Sequence, residues 1–152
     1  MSNPMSSTSS VKVDDKFLLD RAAEVACLAL GSTEKTQINS LLTFMQNFKN
    51  AEKLELLIMR QIGRGLIGEQ AGRKIIQTIE DIKAGKGNQG DIIDTILDFL
   101  GYVKWAYESV ENERQCSNIK DFNSLVKHVA GSGSGTGQPP RPQGYGSGPR
   151  PR

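Results

Sequence analysis

Few residues in this chain are of a type and spacing that could do chemistry. His128 is the one histidine, and it has no carboxylate or cysteine at helical ligand spacing, so neither a metal shell nor a proton relay forms around it. It falls near the end of an apolar-periodic segment, where a cation complements a helix dipole. Asp91, Asp94 and Asp98 recur one helical turn apart, the spacing that paired acid–base work would need. They also occupy the first half of an amphipathic stretch, where carboxylates are favourable for electrostatic reasons alone. Cys27 lies among apolar residues with no histidine beside it, so nothing lowers its pKa and it reads as core. Cys27 and Cys116 are far apart and follow no paired spacing, which argues against a disulfide framework and a zinc site, and for a reducing cytoplasm. These residues predict no catalytic centre, no metal, no cofactor and no enzyme.

The segment RQIGRGLIGEQAGRK is the next candidate, because glycines at a helix start expose backbone amides that can hold an anion. It contains neither the GxGxxG order nor a GxxxxGK[ST] sequence, so nucleotide binding by that route is not expected. What it offers is Arg60, Arg64, Arg73 and Lys74 on a glycine-hinged stretch, followed by Lys83 and Lys86. Arginine presents a planar fork to phosphate, and a flexible basic loop can follow a sugar-phosphate backbone. An ordinary solvated loop has the same composition.

The elements that must position these residues are helical by periodicity. Leu18, Ala22, Val25 and Ala29 form one stripe, capped by Asp14 or Asp15 and stopped by Gly31, which predicts a helix from about Lys16 to Leu30. Ala23, Ala26, Cys27 and Leu30 extend its apolar character around the cylinder, so this helix is expected to be central. Ser32 or Thr33 opens a second helix carrying Ile38, Leu41, Leu42, Met45 and Phe48, with Asn50 as the boundary. Leu54, Leu57, Ile58 and Ile62, then Ile75, Ile76, Ile79 and Ile82, suit two more helices. Gly63, Gly65, Gly68 and Gly72 force a turn between them. The short Ile-rich runs also fit a two-stranded ribbon, and periodicity does not separate the alternatives. Asp91 as N-cap, followed by Ile93, Ile96, Leu97, Leu100, Val103, Tyr107 and Val110, predicts a long helix from Ile92 to about Asn112. Tyr102 and Trp105 flank its stripe, where their polar atoms can reach water or a partner. A last helix from Asn118 to Ala130 carries Ile119, Phe122, Val126 and Val129. The expected architecture is mainly α, an irregular bundle of five or six helices, with a small β-ribbon around residues 54–84 as the alternative.

Composition sets the outer limits. The 152 residues carry a net charge of +2, and the length fits one domain. Residues 1–12 read as a floppy Ser-rich leader without the basic and apolar regions of a secretory signal. Residues 13–130 read as the folded domain. Residues 131–152, rich in Gly and Pro with Tyr145, cannot bury enough apolar surface to offset their ordering entropy and are expected to be disordered. Arg141, Arg150 and Arg152 give this tail three positive charges and it has no acid, which leaves the body from Val11 to Ala130 one unit negative. A generally cationic domain, the usual footprint of a nucleic-acid binder, is absent.

With its Ala-rich first helix (RAAEVACLAL), Gly-rich basic middle (MRQIGRGLIGEQAGRK) and aromatic helix (DIIDTILDFLGYVKWAYESV), the stretch from about residue 12 to 130 resembles the small subunit of archaeal type I-A CRISPR interference complexes. The resemblance implies a non-catalytic module that packs along the crRNA-bearing backbone subunits and helps hold opened target DNA, with weak contact to single-stranded DNA. In that role Arg60, Arg64, Arg73, Lys74, Lys83 and Lys86 would meet nucleic acid, and Tyr102, Trp105 and Tyr107 would serve partner packing or base stacking. The resemblance does not extend to the Gly/Pro/Arg tail. From another class comes a helical adaptor or self-associating scaffold that touches protein alone, which the near-neutral body favours. No membrane partner is expected.

Overall fold

The computed structural model describes residues 12–110 and 113–131. They form six α-helices and one 3-10 helix: α1 (Asp15–Ala29), α2 (Lys35–Phe48), α3 (Ala51–Gly63), α4 (Glu69–Gly85), α5 (Gln89–Ser109), the 3-10 helix (Glu113–Asn118) and α6 (Phe122–Val129). No strand occurs among the described residues, so the β-ribbon alternative for 54–84 is replaced by the α3–α4 helix pair. The expectations for the leader before Lys12 and the tail after Gly131 lie outside the described residues.

α1 is the centre of the bundle. Leu18, Ala22, Val25 and Ala29 are buried in the main core with Met45, Leu54, Ile58, Ile79, Phe99 and Leu100. On the other side Ala23 and Ala26 join a second core with Ala106, Val110, Ile119 and Leu125. Small side chains there let α5 and the α6 segment approach α1 closely, at the packing density of a protein interior. Polar contacts fix the register. Arg21 donates to Thr78 Oγ1 at 3.0 Å and pairs with Asp81 at 3.0 Å, while the Asp20 carboxylate accepts the Phe122 N–H at 3.0 Å.

Local signals explain the helix ends. Asp14, Asn50 and Asp121 accept backbone N–H groups of the first turns of α1, α3 and α6, and Gly31 takes the left-handed conformation that ends the α1 segment (φ 85°). Other boundaries differ from expectation. α2 starts at Lys35, because Ser32 and Thr33 are used elsewhere: Thr33 Oγ1 accepts the Gly68 N–H at 2.8 Å and its carbonyl accepts the Tyr107 O–H at 2.8 Å. α5 is capped by Asn88 rather than Asp91, which sits in the first turn with its N–H bonded to the Asn88 side chain. The expected helix from Asn118 is split. Ile119 is buried from the linker, and α6 begins only at Phe122, where Asp121 and Ser124 form its capping box, leaving Val126 and Val129 exposed. Phe48, placed on the buried stripe of the second helix by its spacing, is 57% exposed.

The cysteine reading is overturned. Cys27 and Cys116 form a disulfide with a Cα–Cα distance of 5.5 Å across 89 residues of sequence. Separation along the chain says nothing about separation in space once α5 returns along α1 and carries the 3-10 helix back over Cys27. The inference from these cysteines to a reducing compartment falls with it. Closing a loop of this length restricts the unfolded chain by about 4–5 kcal/mol in the chain-entropy account. The double variant Cys27→Ala/Cys116→Ala is therefore expected to lose roughly 2–5 kcal/mol of stability in urea unfolding followed by circular dichroism. An unchanged midpoint would mean that the crosslink constrains nothing.

Candidate functional site

The six cations that sequence analysis grouped together do not form one surface. Arg60 and Arg64 lie at the C-terminal end of α3, whereas Lys83 and Lys86 lie at the far end of α4. A helix of that length separates its ends by roughly 25 Å. Half of the six are engaged internally. Arg73 pairs with Glu69 one turn away, and Lys74 reaches back to Glu24 on α1 at 3.3 Å. Lys83 Nζ lies 3.0 Å from Glu52, 3.2 Å from Glu55 and 2.9 Å from Glu80. An ammonium has three donors, and these three carboxylates occupy all of them. Among the described residues, Arg60, Arg64 and Lys86 make no ion pair.

The glycines that suggested a phosphate cradle serve the fold. Gly65 adopts a left-handed conformation (φ 77°) in the α3–α4 turn. A Cβ on Gly68 would stand 2.2 Å from Ser32 Oγ and 2.6 Å from Ser32 Cβ, so this position lets two turns of the protein approach each other. The cleft beside them, about 460 Å³, is lined by Ser32, Thr33, Gln37, Leu66 and Tyr107 among others. The Tyr107 hydroxyl is spent on the Thr33 carbonyl, which makes this ring a strut between α5 and the α1–α2 turn. Trp105 remains on the outside, 66% exposed, with its ring centroid 6.4 Å from that of the half-buried Tyr102, which packs against the main core. They edge a small apolar groove of about 120 Å³ completed by Leu19, Phe122 and Leu125.

Two features were missed from the sequence. The first is an apolar surface on α2 and α3: Phe48 and Leu56 are exposed at the groove between them, Met59 is exposed one turn beyond Leu56, and the rings of Phe44 and Phe48 meet at 4.6 Å, tilted by 33°. A signal for it existed: Leu56 and Met59 stand off the Leu54, Leu57, Ile58, Ile62 stripe. The second is the carboxylate of Glu55, which is buried on α3. Burial, and then a hydrogen bond with Glu80, push its pKa up to about 7, with Lys83 opposing. Glu80 is held below the usual carboxylate range by that same hydrogen bond and by Lys83, and Glu52 is lowered by its hydrogen bond with Lys83. The cluster joins α3 to α4. Among the described residues no group of three His, Cys, Asp or Glu side chains is placed to hold a metal ion, and no helix is long and apolar enough to cross a membrane. His128 sits in the last turn of α6, where a cation suits the dipole.

No protein-family model matches the chain, and no characterised protein matches it in sequence.

The Glu55 shift has a defined sign. Between its ordinary value of 4.5 and about 7, the folded protein holds a proton that the unfolded chain has released, so Glu55 makes stability fall as pH rises through that window. Glu52 and Glu80 act oppositely, losing their contribution as pH drops below the ordinary carboxylate range. Glu55→Gln, which cannot ionise, is expected to gain stability relative to the parent at pH 8 compared with pH 5 in urea unfolding. A difference that stays constant over that pH range would show that Glu55 titrates normally.

Proposed function

We propose that this chain is a non-catalytic helical subunit that works by docking on protein partners. The observation that carries the reading is the pair of exposed apolar sites, Phe48 and Leu56 at the α2–α3 groove and Trp105 at the groove it shares with Leu19, Phe122 and Leu125. Large apolar side chains grouped at a surface mark interaction sites more often than scattered ones do. The charge distribution supports it, because the body is one unit negative by sequence and Arg73, Lys74 and Lys83 are paired within the fold.

The small subunit of a type I-A CRISPR interference complex is the specific form of this proposal, and it rests on the resemblance of the first, middle and aromatic segments. In that setting the backbone subunits are the protein partners. Arg60 and Arg64, which make no ion pair among the described residues, would add weak phosphate contacts to opened target DNA only inside the assembled complex, the isolated body being too close to neutral to hold single-stranded DNA through them. An exchange of DNA duplex for RNA–DNA hybrid is nearly balanced, so weak contacts suffice to tip it. A cytoplasmic location belongs to the same proposal, since intracellular proteins of hyperthermophilic archaea do carry disulfides. Self-association through the same apolar faces is the adaptor version.

Two sets of variants separate the readings. Phe48→Ser/Leu56→Ser/Met59→Ser and, separately, Trp105→Ser are expected to remove co-purifying protein partners of the full chain while leaving its thermal unfolding nearly unchanged. Retention of every partner by both would contradict docking. In a reconstituted complex, Arg60→Ala/Arg64→Ala/Lys86→Ala is expected to weaken R-loop formation if the body touches DNA. Undiminished formation would leave protein docking alone.

A further inference from the structure

Resting on the docking reading, we propose that the groove between α2 and α3 receives an acidic amphipathic helix of a partner protein. The groove, about 410 Å³, is lined by Phe44, Phe48, Lys53, Leu56, Leu57 and Arg60. Its floor is apolar and already formed, since the rings of Phe44 and Phe48 rest against each other and Phe44 and Leu57 pack against the main core. Two antiparallel helices leave between them a furrow that the side-chain ridge of a third helix fits.

Charge selects the occupant. α3 carries two carboxylates, Glu52 and Glu55, and both are turned to Lys83 on α4. α2 carries no acidic residue at all. The groove is therefore edged by cations alone: Lys53 and Arg60 line it and Lys49 ends α2, all three exposed and without an ion pair among the described residues. Lys53 and Arg60 are seven residues apart, two helical turns or about 10.5 Å. A complementary helix has apolar residues at i, i+3, i+4 and i+7 and carboxylates on the flanks at the same two-turn spacing. The chain's own C-terminal residues do not fit, because Gly131 to Arg152 contain three arginines and no acid.

The test uses the full chain and two fluorescein-labelled model helices of identical leucine pattern, one with flanking glutamates and one with flanking lysines. Fluorescence anisotropy is expected to show the glutamate helix binding at least about tenfold more tightly, with the advantage shrinking as salt rises. Lys53→Glu/Arg60→Glu should reverse the preference, and Phe48→Ser/Leu56→Ser should weaken both helices, with helical circular dichroism unchanged throughout. Equal binding of the two helices, or binding of neither, overturns the proposal. So does adsorption to phosphatidylserine–phosphatidylcholine vesicles without helix binding, which would make the groove a membrane contact. Concentration-dependent self-association lost in Leu56→Ser overturns it in favour of a second copy, whose α5 exposes Asp91, Asp94 and Asp98. If the helices fail while the triple serine variant still loses its co-purifying partners, docking stands and only this occupant is wrong.

Discussion

Everything in this bundle depends on α1 being apolar on nearly its whole circumference. One face feeds the main core through Leu18, Ala22, Val25 and Ala29; the other accepts α5 and the C-terminal segment through Ala23 and Ala26. An amphipathic helix would bury one stripe, whereas this one must be enclosed. The polar residues it retains are then drawn inward as pins. Arg21 holds Thr78 and Asp81, Glu24 holds Lys74, Asp20 holds the start of α6, and Cys27 is tied to Cys116.

That enclosure decides what the charges are for. α4 packs on α1 and beside α3, so its cations meet carboxylates from both: Lys74 on the α1 side, Lys83 on the α3 side. Exposed pairs of this sort contribute little to stability singly. Their consequence is directional, because they take cations away from solvent on one side of α3 and leave Lys53 and Arg60 unopposed on the other. The basic cluster apparent in the sequence thus separates into structural and surface populations.

Much of the fold was legible in the sequence because helical periodicity and caps act locally. The α1 stripe, a cap at Asp14 or Asp15 and the Gly31 stop needed no tertiary information, and Asp14 is the one that caps. The pair α3–α4 was ambiguous because runs such as LELLIMRQI satisfy both periods, and burial against α1 and α5 resolved it. What could not be read was anything requiring distance between remote segments. Nothing in the spacing of Cys27 and Cys116 announces a 5.5 Å approach. Phe48 keeps the period of α2 but is its last residue and borders the open groove beside α3, so it emerges at 57% exposure. Glu55 sits in an apolar run, and only its distant partners Glu80 and Lys83 make its burial tolerable. The same limit applies to the site: Tyr107 was correctly placed on the α5 stripe, yet its bond to Thr33 turns a candidate contact residue into a strut.

The central claim is that the folded body acts through protein contacts while its cations serve mainly the fold. The most direct measurement is single-stranded DNA binding by the full chain and by Arg60→Ala/Arg64→Ala/Lys86→Ala across a salt series. The account predicts the same affinity and the same log–log salt slope for both proteins. A slope reduced by about 0.7 for each cation removed would contradict it, because those side chains would then be neutralising phosphates.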